Sequence, residues 1–163
     1  MRRSLTAIVL AGLLAAVLAG SARPAHRSVL KFTVRITQGP TFRHAYPPPG
    51  DAGDVFSTTL TEFATSSLLG VEPGKRVGSM SFSYLLHGTC SSTAAGCTGS
   101  SDITTVTTLP GGTILAAKKA VPFSRAGFVI PIQSGTGRFK GATGVVAVAP
   151  AGQAETTYSI TLP

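Results

Sequence analysis

Charged side chains are scarce: they make up 12% of the 163 residues, and only six are acidic. Beyond Ala25 no stretch carries the apolar period of an amphipathic helix, so a helical fold has nothing to build on. Cysteine is limited to Cys90 and Cys97, and the three histidines, His26, His44 and His87, show no metal-ligand spacing. No Gly-x-Ser-x-Gly elbow supports a serine triad. No glycine loop ends in Gly-Lys-Ser/Thr at the start of a helix, so a phosphate cradle is not expected. Neither a metal nor an organic cofactor is implied. A long hydrophobic run is missing too: the longest, Leu5 to Ala19, is shorter than the roughly 20 residues of a spanning helix.

That short run is informative in its own right. Met1-Arg2-Arg3-Ser4 is a positive start, the apolar segment comes next, and Ala19-Gly20-Ser21-Ala22 supplies small residues. This order describes a secretory signal peptide, expected over residues 1–25, with Ala19, Ala22 and Ala25 as candidate last residues. The mature domain is then 26–163, secreted and without stable membrane insertion. Losing Arg2, Arg3 and Arg23 lowers the formal charge from +8 to +5. The remaining basic residues are scattered and not interleaved with aromatics, so nucleic acid is not an expected partner.

Thr, Ser, Gly, Ala and Val dominate the mature part, a composition suited to strands and tight turns. Period-two alternation marks eight segments: Leu30–Thr37, Asp54–Ala64, Val77–Thr89, Asp102–Leu109, Thr113–Ala120, Gly127–Gln133, Val145–Ala149 and Thr156–Leu162. Pro131 predicts a bulge or an unpaired position in the sixth. Eight antiparallel strands joined in sequence favour a closed all-β barrel, which removes exposed edges; a β-sandwich is the rival. Cys90 and Cys97 are expected to form a disulfide closing a Ser/Gly-rich loop, since a redox motif has closer spacing.

The C-terminal half carries a more specific pattern. Gly111-Gly112-Thr113-Ile114 and then Pro131-Ile132-Gln133-Ser134-Gly135-Thr136-Gly137-Arg138-Phe139-Lys140-Gly141-Ala142-Thr143-Gly144 resemble the allene oxide cyclase and dirigent barrel superfamily. Gly53-Asp54-Val55-Phe56, Lys75-Arg76-Val77-Gly78 and Thr157-Tyr158 extend the resemblance from about residue 30 to the end. It implies an eight-stranded antiparallel barrel that takes a lipophilic or phenolic small molecule, acts as a cyclase, isomerase or steering protein, and assembles as a homo-oligomer, a trimer in particular. The residues that define the plant activities are replaced, however. Ser57 and Thr58 stand where dirigent proteins carry an acidic pair, and Tyr84 stands at the plant cyclases' cavity cysteine. The first strand has only Lys31 and Arg35 as charges. Residue by residue, Gly135, Gly137, Gly141 and Gly144 read as a structural barrel corner.

The candidate binding wall is Met80, Phe82, Tyr84 and Leu86, which share one face of the third segment. Whether that interior is open or packed solid is not decided by the pattern; a packed barrel would leave a non-catalytic extracellular interaction module. Tyr84 and Glu62 are the candidate catalytic side chains. Glu62 is either a buried carboxyl with a raised pKa or an inert surface charge. Asp54 is expected to serve a turn, and His87 to stand near the barrel mouth.

Overall fold

The computed structural model describes residues 27–37, 50–90, 97–123, 126–150 and 153–163. The expected leader, His26, His44 and the proline triplet Pro47-Pro48-Pro49 lie outside the described residues. The eight expected segments are strands, with ends shifted by a few residues. They are β1 (Ser28–Thr37), β2 (Val55–Ala64), β3 (Arg76–Leu86), β4 (Ser100–Leu109), β5 (Gly112–Pro122), β6 (Phe128–Gly135), β7 (Thr143–Val148) and β8 (Glu155–Leu162). Each pairs antiparallel with its sequence neighbour, and β1 pairs with β8 from Ser28↔Leu162 to Arg35↔Glu155, closing the barrel. The sandwich alternative is thereby removed.

Burial tracks the alternation. On β4 the buried residues are Ser101, Ile103, Thr105, Thr107 and Leu109, while Thr104, Val106 and Thr108 face solvent. The inward residues of all eight strands make a single core, which includes Phe32, Val34, Met80, Ile114, Ile130, Val146, Tyr158 and Ile160. Fully burying a side chain of this size is worth about 1.5–3 kcal/mol, so this inner layer outweighs any surface contact in holding the barrel.

The two ends of the barrel differ. The lower end collects the β2–β3, β4–β5 and β6–β7 connections, and it is plugged. Leu68 from the first of these, with Phe139 and Ala142 from the last, is buried in the core. Phe139 belongs to a one-turn 3-10 helix, Gly137–Phe139. That helix starts at Gly137 with φ +57°, a conformation that favours glycine, and a Cβ there would meet the Gly111 carbonyl. This loop joins β6 to β7 and lowers Phe139 into the lumen.

The upper end carries the disulfide. Cys90 and Cys97 are bonded, with Cα atoms 4.0 Å apart, and Cys90 exchanges backbone hydrogen bonds with Gly50 at 2.8 and 3.0 Å. The bridge therefore fixes the β3–β4 connection and the chain entering β2 together. Asp54 serves the turn there, its carboxylate accepting from the Asp51 N–H at 2.9 Å.

Two register shifts sit close together on β5 and β6. On the β4 side, Ser101 pairs with Val121 but Ile103 with Lys118, so β5 carries one extra residue. Ala120 takes it up with a left-handed φ of +51°, and its N–H donates to the Asp102 carboxylate at 2.9 Å. On the β6 side, Leu115 pairs with Ser134 and Ala116 with Ile132, leaving Gln133 as the extra residue. The β5–β6 ladder then stops one residue before Pro131, which has no N–H to continue it. The Gln133 amide instead donates to the Ala117 carbonyl at 3.2 Å. The irregularity expected of Pro131 is this bulge and end of the ladder.

Candidate functional site

Glu62 lies on β2 at an inward position and is fully buried, so the surface-charge reading falls. Its burial has a local cause. Opposite Glu62 in the ladder stands Gly78, and Val77 is the extra residue that shifts the register beyond it. A Cβ on Gly78 would come within 3.1 Å of Glu62 Oε2 and press on the Thr108 carbonyl. The glycine makes the room that the carboxyl fills.

Tyr158 completes the site. It sits on β8, four strands from β4 in either direction around the ring, so its side chain crosses the lumen from one wall to the other. The ring stacks on Phe32 with centroids 4.8 Å apart, and the hydroxyl donates to Glu62 Oε1. Thr107 on β4 lies 3.0 Å from the same hydroxyl. Because the phenol proton is committed to Glu62, the Thr107 hydroxyl is the donor of that second bond. The three groups form a buried chain, Thr107 to Tyr158 to Glu62, and Glu62 Oε2 has no hydrogen-bond partner.

This surrounding sets the protonation. Burial raises the Glu62 pKa to about 7, against the opposing pull of the Tyr158 hydrogen bond. Burial, then the charge of Glu62 and the bond to it, push Tyr158 well above the ordinary phenol value. Near neutral pH the carboxyl is poised between its two forms while the phenol stays protonated.

Of the expected binding wall, Met80 and Phe82 are buried on the inner face. Met80 pairs with Leu60 and Thr107, next to the buried chain. Tyr84 is half-buried and stacks on Phe82 with centroids 4.7 Å apart, and Phe82 also meets Phe128 edge-on at 6.4 Å. Leu86 is buried at the upper end of β3. Burial raises the Tyr84 pKa as well. Tyr84 and Glu62 are not neighbours: Tyr84 is six residues from Gly78 along β3, or roughly 20 Å. Tyr84 belongs to the upper lumen and Glu62 to the level crossed by Tyr158. His87 stands on the upper rim and half-exposed, its Nε2 3.1 Å from Asp102 Oδ1. Asp102 is held below the usual carboxylate range by the Ala120 N–H first and by His87 and Lys119 after it. Among the described residues no group of three or more His, Cys, Asp and Glu could hold a metal ion, and no helix is long and apolar enough to cross a membrane.

Sequence alone does not single out Tyr158 and Thr107 as site residues. The motif Thr157-Tyr158 marks the strand, but only the closed ring shows that this tyrosine reaches across to β4 and β2.

No protein-family model matches the chain, and no curated protein is similar to it. The barrel has solved counterparts. One is a pyocyanin demethylase, 20% identical, covering 82% of this chain and 100% of that one, with a TM-score of 0.58. Another is a nonspecific heme-binding cyclase that catalyses a 4+2 cycloaddition during neoabyssomicin biosynthesis. It is 18% identical and covers 84% of this chain and 66% of that one, with a TM-score of 0.50. At these identities the likeness is one of fold.

Proposed function

We propose that this chain is an exported barrel that takes a small apolar or phenolic molecule into its upper lumen and exchanges a proton with it through Glu62 and Tyr158. The observation that carries the reading is Glu62: a fully buried carboxyl with one oxygen held by a tyrosine and the other without a hydrogen-bond partner. A carboxyl in this setting costs stability relative to an apolar residue, and such groups concentrate at functional sites. A pKa of about 7 suits a group that both gives and takes protons at neutral pH.

The upper lumen suits an apolar guest. Phe82, Tyr84, Phe128 and Ile130 supply surface, and the buried Thr105 and Thr156 supply hydroxyls. Tyr84 and Phe128 are half-buried at inward positions, so the lumen meets solvent at that level. The resemblance to allene oxide cyclases and dirigent proteins supports a cyclase- or isomerase-type step without a cofactor. The solved counterparts include enzymes named for small-molecule chemistry, which supports the same class. Export of residues 26–163 after removal of 1–25 is supported by the form of the N-terminal segment and by the Cys90–Cys97 bridge.

The test begins with native mass spectrometry of the secreted protein and a titration with the neutral fluorophore N-phenylnaphthylamine. Saturable binding of one probe per chain is expected. Any molecule that co-purifies is then incubated with the protein in deuterated water. Wild type is expected to introduce deuterium, and Glu62→Gln to bind without doing so. Absence of saturable probe binding would overturn the reading, and equal deuterium uptake by Glu62→Gln would remove Glu62 from it.

A further inference from the structure

Lys118 occupies an anomalous place in the barrel wall. It pairs with Ile103, a fully buried residue of β4, and directly paired residues point to the same face of a sheet. Continuing the β5–β6 register from Ala116↔Ile132 by two residues would set Lys118 opposite Ile130, also fully buried. The ladder does not continue there, because Pro131 and the Gln133 bulge end it. Lys118 is therefore an exposed lysine at an inward register position, paired with the buried Ile103, just beyond the end of the β5–β6 ladder.

Its charge is not spent inside the protein. Among the described residues Lys118 has no ion pair. Asp102, the nearest carboxylate in register, lies between the inward Ser101 and Ile103 and so faces outward, where His87 and the Ala120 N–H hold it. The row beyond Ile103 leads across the lumen wall to Tyr84 and Phe56. The register row of Lys118 thus runs on to aromatic residues, and among the described residues no carboxylate faces it from β3, β4 or β6.

We propose that Lys118, beside the end of the β5–β6 ladder, recognises the anionic group of the barrel's ligand, which is an apolar or aromatic body bearing one carboxylate, sulfonate or phenolate. The inference rests on the reading that the barrel takes a small molecule, and it adds the charge and the direction of entry. The apolar body lies against Phe82, Tyr84 and Phe128, and the anion stays at the end of the ladder, partly in water, where a lysine holds it at little desolvation cost.

Two matched probes separate the inference from the reading beneath it: neutral N-phenylnaphthylamine and its sulfonated analogue anilinonaphthalene sulfonate. Wild type is expected to bind the sulfonated probe about tenfold more tightly at low salt. Lys118→Ala removes that preference and Lys118→Glu reverses it, with the neutral probe unchanged in both. Lys140→Ala, at the lower end, leaves both probes unaffected. Equal affinity for the two probes, or an unchanged preference in Lys118→Ala, overturns the role of Lys118 while small-molecule binding stands. Failure of both probes to bind overturns both.

Discussion

Glu62 makes the fold itself pH-dependent. Its pKa is about 7 in the folded chain against an ordinary value of 4.5, so the folded state holds the extra proton between these values. Stability from this group is fully present below about pH 4 and is lost as pH rises through 7. The loss amounts to about 3 kcal/mol, a large share of a small domain's total. Urea midpoints measured from pH 4 to 9 should fall accordingly, and Glu62→Gln, which cannot ionise, should flatten the curve across that window. A profile unchanged in Glu62→Gln would mean that another group is responsible for the pH dependence. At this scale the sequence showed only part of the site. Glu62 stood out as an acid among apolar neighbours, but alternation alone did not fix its face. Gly78 decides its burial by leaving space, and a missing side chain leaves no mark in a hydropathy pattern.

Among the elements, the β3–β4 connection depends most on a covalent bond. The bridge spans seven positions and is joined to Gly50 by paired backbone hydrogen bonds. Closing a loop of this size is worth about 2.5 kcal/mol in the chain-entropy model. Cys90→Ala/Cys97→Ala should lower stability by about that amount while leaving the β1–β8 closure intact, as thermal unfolding and circular dichroism would show. Strand positions were legible because most of each strand follows the period of two, and the staple because both cysteines lie in one short loop. Lys118 was not legible as an inward residue. The extra residue near Ala120 resets the phase of β5, so counting forward from Ile114 and Ala116 puts Lys118 inward while counting back from Val121 puts Lys119 there instead.

For the whole molecule, closure was predictable and the arrangement inside it was not. Eight antiparallel strands joined in sequence favour a ring, since a ring leaves no edge. The site, however, is assembled from β2, β4 and β8, which meet only across the lumen. Contacts of such wide sequence separation have no local signature. The end of the β5–β6 ladder carries a further consequence, for association between chains. Along Ala117–Pro122 and Phe128–Pro131 the edges of β5 and β6 that face each other form no ladder, as is also the case for Ser28–Thr33 and Val55–Leu60 between β1 and β2. An unpaired edge invites a strand from another molecule, and the one between β5 and β6 is guarded. Pro131 withholds an N–H, Lys118 and Lys119 bring charge, and the left-handed Ala120 bends the backbone away from a flat pairing geometry. Pro131→Val should therefore increase light scattering in concentrated solution at unchanged unfolding temperature, and combining it with Lys119→Thr should increase it further. Where the β5–β6 ladder ends, a proline and two lysines keep other chains from adding to it.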